Sequence, residues 1–244
     1  MIALLDITVW AIVWAGFISG FVHVLAGVDH MSALLPLSVG KNWRASLLGV
    51  RWGIGHSLGV IVIALLAVEL RQVMDLTLEL EFLGEWAERL VGLMLIVIGA
   101  FGIRAATRTS LHAHSHEHDG TQHDHLHLHA HDSHAEHAPN PHPHSHTAFF
   151  AGLLHGVAGT AHVLAVLPAA AMNSRAQSWT YLAAFAVGTV LAMAGFAGIV
   201  GFSSARMGKR GPRMLKGLML TASCVCILVG IAWIMLPSLG YELP

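Results

Sequence analysis

Charge is what this sequence has least of. Of its 244 residues only 11% are Asp, Glu, Lys or Arg, while 55% are hydrophobic, and thirteen basic residues against fourteen acidic ones leave a net charge of −1. A soluble domain carries about 25% charged residues, so an ordinary water-facing surface is excluded, and nothing in the balance points to nucleic acid. Cysteine is nearly missing as well. Cys224 and Cys226 are the two present, and a C-x-C on one helix sends its sulfurs in different directions, which rules out an ordinary disulfide and leaves both as expected core residues. No G-x-x-x-x-G-K-[ST] motif occurs, so the chain carries no ATPase motif of its own. The first apolar stretch lacks a basic leading region and a small-residue cleavage site, and is expected to be a mature span.

What is present is apolar length. A helix needs about 20 residues to cross roughly 30 Å of hydrocarbon, and six such stretches are expected, at 7–28, 45–70, 86–107, 147–172, 178–204 and 213–237. Most of the seven tryptophans fall near the ends of these stretches, as interfacial belts do. Lys41, Arg44, Arg51, Arg104, Arg108, Arg206, Lys209, Arg210, Arg213 and Lys216 collect on one side, leaving Arg71, Arg89 and Arg175 on the other. The positive-inside rule makes the first side cytoplasmic. Both termini are then expected outside a cell (inner) membrane that the chain crosses several times.

Between the third and fourth stretches lies LHAHSHEHDGTQHDHLHLHAHDSHAEHAPNPHPHSH, which holds His112, His114, His116, His118, His123, His125, His127, His129, His131, His134, His137, His142, His144 and His146. Such a polar tract has no core to bury, so it is expected to be a disordered cytoplasmic loop. Neutral imidazoles suit several transition metals alike, and the tract is expected to act as an auxiliary metal-binding loop without naming the metal.

An internal repeat organises the rest. GFVHVLAGVDHMSALLP, residues 20–36, aligns without gaps on GLLHGVAGTAHVLAVLP, residues 152–168, matching Gly20, His23, Ala26, Gly27, His30, Leu35 and Pro36. The expected organisation is a first three-helix repeat over 1–108, the His-rich loop over 109–146 and a second three-helix repeat over 147–244. With three spans per half, the two halves enter the membrane upside down relative to each other, an architecture common among secondary transporters. The fold class is therefore an all-α integral membrane protein of six transmembrane helices in two inverted-topology repeats.

The repeat also carries the chemistry. His23 and His30 lie seven residues apart, on one face of a continuous helix but about 10 Å apart along its axis, too far to share one small ion. The same holds for His155 and His162. Gly27 and Gly159 stand between the pairs, where a helix break costs least. Asp29 adds a carboxylate beside His30, and His56, in RWGIGHSLGV, sits among small residues that allow close helix packing. Thr189 takes the equivalent place in the second half and Ala161 replaces Asp29, so the first half holds the fuller ligand set. Ionisable groups at membrane depth are costly and face a partner or a cavity. The expected metal residues are His23, Asp29, His30, His56, His155 and His162.

HVLAGVDHMSALLPLSVG followed by WGIGHSLGV resembles the paired signature of the nickel/cobalt transporter superfamily (NiCoT/NicO), and within it the UreH-type urease-accessory permeases. Five residues separate His23 from the Asp-His pair here, where the main nickel and cobalt permeases have four. The resemblance implies that His23, Asp29, His30 and His56 recognise the metal and that the substrate is Ni²⁺, with Co²⁺ next. The expected function is a secondary transporter, not an enzyme, working by uptake, with no permanently bound cofactor and with cytoplasmic nickel-handling proteins as partners. A Ni²⁺, Co²⁺ or Zn²⁺ exporter stays open as an alternative, and behind it a His-ligated haem or di-iron membrane oxidoreductase.

Overall fold

The computed structural model describes residues 2–70, 77–118, 121–130, 145–158 and 167–237. Its helices are α1 (Ile2–Ala26), α2 (Val28–Ser38), α3 (Ala45–Leu70), α4 (Thr77–Arg108), α5 (Ser145–Ala158), α6 (Arg175–Gly208) and α7 (Pro212–Met235). Five candidate membrane spans lie within them: Thr8–Ala26, Asn42–Leu65, Trp86–Arg108, Arg175–Gly208 and Pro212–Met235. These apolar helices make a multi-pass membrane protein. Their outer faces carry Phe101 at 67% and Leu228 at 65% exposure, side chains that lipid covers at no hydrophobic cost.

The expected first span agrees with α1, which stops at Ala26, within two residues. Beyond the break at Gly27 lies α2, between the expected first and second spans, and it buries Asp29, His30, Ser32 and Ser38. Within the expected fourth span, α5 covers 14 residues, about 21 Å of helix. Gly159, Ala161 and His162 lie outside the described residues.

Close approaches at glycine set the packing directions. Gly16 lies against Tyr181 and Gly20 against Phe185, so α1 and α6 run parallel, while Gly152 lies against Trp52 and Gly156 against His56, so α5 runs parallel to α3. Gly49 against Met193 and Gly53 against Val190 make α3 antiparallel to α6. It follows that α1 and α5 point in opposite directions. The fourth glycine-mediated contact, Gly92 against Gly230 with Gly99 against Ser223, pairs α4 antiparallel to α7. At each of these glycines a Cβ would collide with the neighbouring helix, so its absence is what lets the backbones approach.

The tract after α4 departs from the expectation of disorder, while the membrane-spanning part is helical as expected. Thr109–His118 and Thr121–Ala130 pair as an antiparallel hairpin, β1 and β2. Histidine recurs at every second residue through both stretches, the period of an extended strand. The register aligns His112 with His127, His114 with His125 and His116 with His123. Residues 131–144 lie outside the described residues, so the histidines there cannot be placed.

Tryptophan divides into two groups. Trp10, Trp14, Trp43, Trp86 and Trp179 are exposed, as belt residues should be, but Trp52 and Trp233 are buried in the core. Cys226 is a core residue whose thiol donates to the Leu95 carbonyl at 3.2 Å, whereas Cys224 is exposed on α7 and departs from the expected core place.

Candidate metal centre

The centre forms where the first span breaks. Gly27 takes an extended conformation (φ −75°, ψ 102°) between α1 and α2, and its backbone still links the two helices, with Gly27 N donating to the His23 carbonyl at 3.0 Å and Met31 N to its own at 3.3 Å. Amides at a new helix start lack partners within the helix, and His30 N finds one in Asp29 Oδ1 at 2.9 Å. A side chain at position 27 would collide with the His30 Nδ1 and Asp29 Oδ1 atoms. Glycine is therefore required for the room beside the break, since any residue can adopt its backbone conformation.

The break brings His23 and His30 together. Their ring centroids lie 4.8 Å apart, where a continuous helix would hold them about 10 Å apart. His56, from α3, completes a triangle, 4.8 Å from the His30 ring and 5.7 Å from that of His23. His30, His56 and His155 are fully buried and Asp29 nearly so. The ligand atoms of His23, His30 and His56 all fall within 4.8 Å of one another, and so do those of Asp29, His30 and His155.

Hydrogen bonds distinguish these two groups. Asp29 Oδ1 faces His30 Nδ1 at 2.8 Å, and Asp29 Oδ2 faces His155 Nε2 at 2.8 Å. A carboxylate only accepts, so each of those ring nitrogens donates its N–H. His30 then presents the lone pair of Nε2 toward His56 Nε2, 3.4 Å away. Two imidazole nitrogens each about 2.0–2.1 Å from a tetrahedral divalent ion stand about 3.3–3.4 Å apart. The same separation serves a hydrogen bond between the rings when no ion lies between them. This is the carboxylate–histidine arrangement that orients metal-binding imidazoles.

Of the six residues expected to bind metal, five thus converge in one cluster, and His162 lies outside the described residues. Asp29 stands one bond back from the triad, with both oxygens engaged by imidazoles. The walls include groups that sequence reasoning did not assign to the site: Phe185, 5.6 Å from the His23 ring, and Trp52, edge-on to His155 at 6.1 Å. The sequence signal that Trp52 is internal is the glycine spacing around it, which draws α5 onto α3. Thr189 supplies no ligand and donates to the Gly20 carbonyl at 3.3 Å.

The family profile described as "Cytochrome C biogenesis protein transmembrane region" matches residues 11–225. The chain belongs to this family. Among curated proteins, this member of the cytochrome C biogenesis transmembrane-region family is 32% identical over 231 residues to each of the chloroplast proteins FOR GROWTH AND FERTILITY 1 and 2 of Arabidopsis thaliana. Those matches cover 94% of the chain but only 60% and 58% of the two relatives, so the chain spans about three-fifths of their length. It is also 28% identical over 195 residues to the urease accessory protein UreH of Bacillus sp. (strain TB-90), across 78% of the chain and 76% of that protein. No solved structure matches it.

Proposed function

We propose that this protein is a secondary transporter of divalent transition-metal ions, Ni²⁺ first and Co²⁺ next, working in the direction of uptake, with no permanently bound cofactor. The observation that carries the reading is the triad of His23, His30 and His56 at a helix break inside an apolar bundle, with Asp29 fixing the tautomer of His30. Neutral imidazole selects for ions of the Ni²⁺, Co²⁺ and Zn²⁺ class over Mg²⁺ or Ca²⁺, which prefer oxygen. Nickel itself comes from the resemblance to the nickel/cobalt transporter superfamily, and a urease accessory protein among the relatives is in keeping with it.

The architecture we propose is two three-span repeats inverted about the centre. What supports it is the exchange of contacts: Gly20 meets Phe185 as Gly152 meets Trp52, and Gly188 meets Phe17 as Gly55 meets Phe149. Phe17 and Phe149 are counterparts in the repeat, so the second pair of contacts is the first half's seen from the other side. Broken helices meeting at the interface of inverted repeats are where such transporters place their substrate. The membrane potential is a sufficient driving force in this reading, at about 2.3 kcal/mol per charge per 100 mV. The basic end faces the cytoplasm of a cell (inner) membrane, the termini face out, and the His-rich loop receives or buffers the ion for cytoplasmic metal-handling partners.

The test is metal content in cells expressing the wild type, His23→Ala, His30→Ala and a deletion of residues 112–146. Expression should raise nickel and cobalt content, the point changes should abolish the rise, and the deletion should alter it severalfold at most. A fall in content on wild-type expression would turn the direction to export, and no change in either metal would sink the transport reading.

A redox function, which the family's description invites, has less to support it. A thiol carrier needs two sulfurs that can meet, whereas Cys226 is tied to Leu95 in the core and Cys224 is exposed two residues away on the same helix. Histidine rings packed at centroid distances of 4.5 to 5.7 Å leave no slot for a porphyrin between them. A colourless purified protein without visible absorption would remove a haem.

A further inference from the structure

We infer that His155 is a positioning residue contributed by the second half of the chain: it holds Asp29, which holds His30 in the tautomer that offers Nε2 to the ion. The inference rests on the transporter reading above and assigns roles within its site. Asp29, His30 and His155 could in principle make a second ligand set, since their ligand atoms are close enough. The two sets exclude each other. An ion among Asp29, His30 and His155 would take the lone pair of His30 Nδ1, forcing the ring proton to Nε2, where it would point at His56 Nε2 only 3.4 Å off and close the first set.

The existing bonds decide between them. Asp29 Oδ1 already accepts from both His30 N at 2.9 Å and His30 Nδ1 at 2.8 Å, and Oδ2 accepts from His155 Nε2 at 2.8 Å. Three donors satisfy the carboxylate inside the bundle, and an ion would have to displace two of them. Removing His155 would instead strand Oδ2 without a donor, and a buried oxygen in that state draws a partner from elsewhere. The nearest is the pair of N–H groups on His30, so the His30 ring would turn. His155 reaches Asp29 because α5 lies against α3 with Gly156 on the His56 carbonyl. The ligands therefore all belong to the first half, while the brace that aims them belongs to the second, and a movement of α5 relative to α1 and α2 would release His30.

The experiment uses the purified full chain in detergent with Co²⁺ as the probe, measuring by titration the affinity of the intramembrane site after subtracting the binding by residues 112–146 that every variant shares, and the number of imidazole ligands at that site by X-ray absorption. His155→Gln keeps an amide N–H that can reach Asp29. Orienting residues typically contribute 10–100-fold to metal affinity, so His155→Ala should bind about 10–100-fold more weakly and His155→Gln within about threefold of wild type. Both should keep the wild-type imidazole count, whereas His23→Ala should lose one. A lower imidazole count in both His155 variants, with His155→Gln as weak as His155→Ala, would make His155 a ligand and overturn the inference while leaving the transporter reading intact. An unchanged affinity in His155→Ala would overturn it too. Should His155→Ala fail to fold, His155→Gln alone decides through its imidazole count. A wild-type protein that binds no Co²⁺ would bring down both readings together.

Discussion

The two copies of the repeated segment began from one pattern and serve opposite purposes. In the first, His23, Asp29 and His30 gather around the break at Gly27 and face His56; in the second, His155 turns its Nε2 to Asp29 of the other copy. The residue that differs explains this. Asp29 has no counterpart, because Ala161 stands in its place, so only the first copy can fix the tautomer of its own histidine. The second half also carries Thr189 where the first carries His56, and a hydroxyl bonded to the Gly20 carbonyl fastens helices. In the proposed reading, two equivalent frames differ by a few substitutions that make one the site and the other its support.

The sharpest way to break that comparison is to give the first half the second half's residue. His56→Thr should remove the intramembrane Co²⁺ site and leave only the binding supplied by the histidines of residues 112–146, since it removes one of three imidazoles and a hydroxyl cannot replace it for an ion of this class; an unchanged Co²⁺ stoichiometry and affinity would mean that His56 is not a ligand. A smaller effect should come from the frame, which the two halves share. Gly20→Ala and Gly152→Ala each push a Cβ into a backbone carbonyl, of Phe185 and Trp52 respectively, and overpacking of this kind costs about 1–3 kcal/mol. The two losses should be similar in thermal unfolding in detergent, and a large inequality would show that the halves do not carry the fold equally. The smallest effect belongs to Thr189→Val. Losing one interhelical hydrogen bond within a membrane bundle costs about 0.6 kcal/mol, visible as a slight loss of stability with Co²⁺ affinity unchanged.

Much of the site was legible because it depends on period and spacing. A seven-residue offset between histidines, with a glycine between them, required a break if the pair was to meet, and Gly27 provides it. The role of Asp29 was not legible, because its two oxygens are engaged by residues 1 and 126 positions away, and no local pattern records a hydrogen bond across the bundle. In the His-rich tract the period-two alternation was present in the letters and was outweighed by polarity, so the hairpin was missed.

The sequence by itself determined that this chain lives in a membrane, that it carries a duplicated His-Gly-His element, and that histidines and a carboxylate sit among its apolar residues, because composition and periodicity are properties of letters in order. Only the tertiary structure decided which histidines face each other and which one faces the carboxylate. Those choices follow from helices brought into contact at glycines far apart in the chain, where the missing Cβ sets the distance and the buried carboxylate takes the nearest N–H donors.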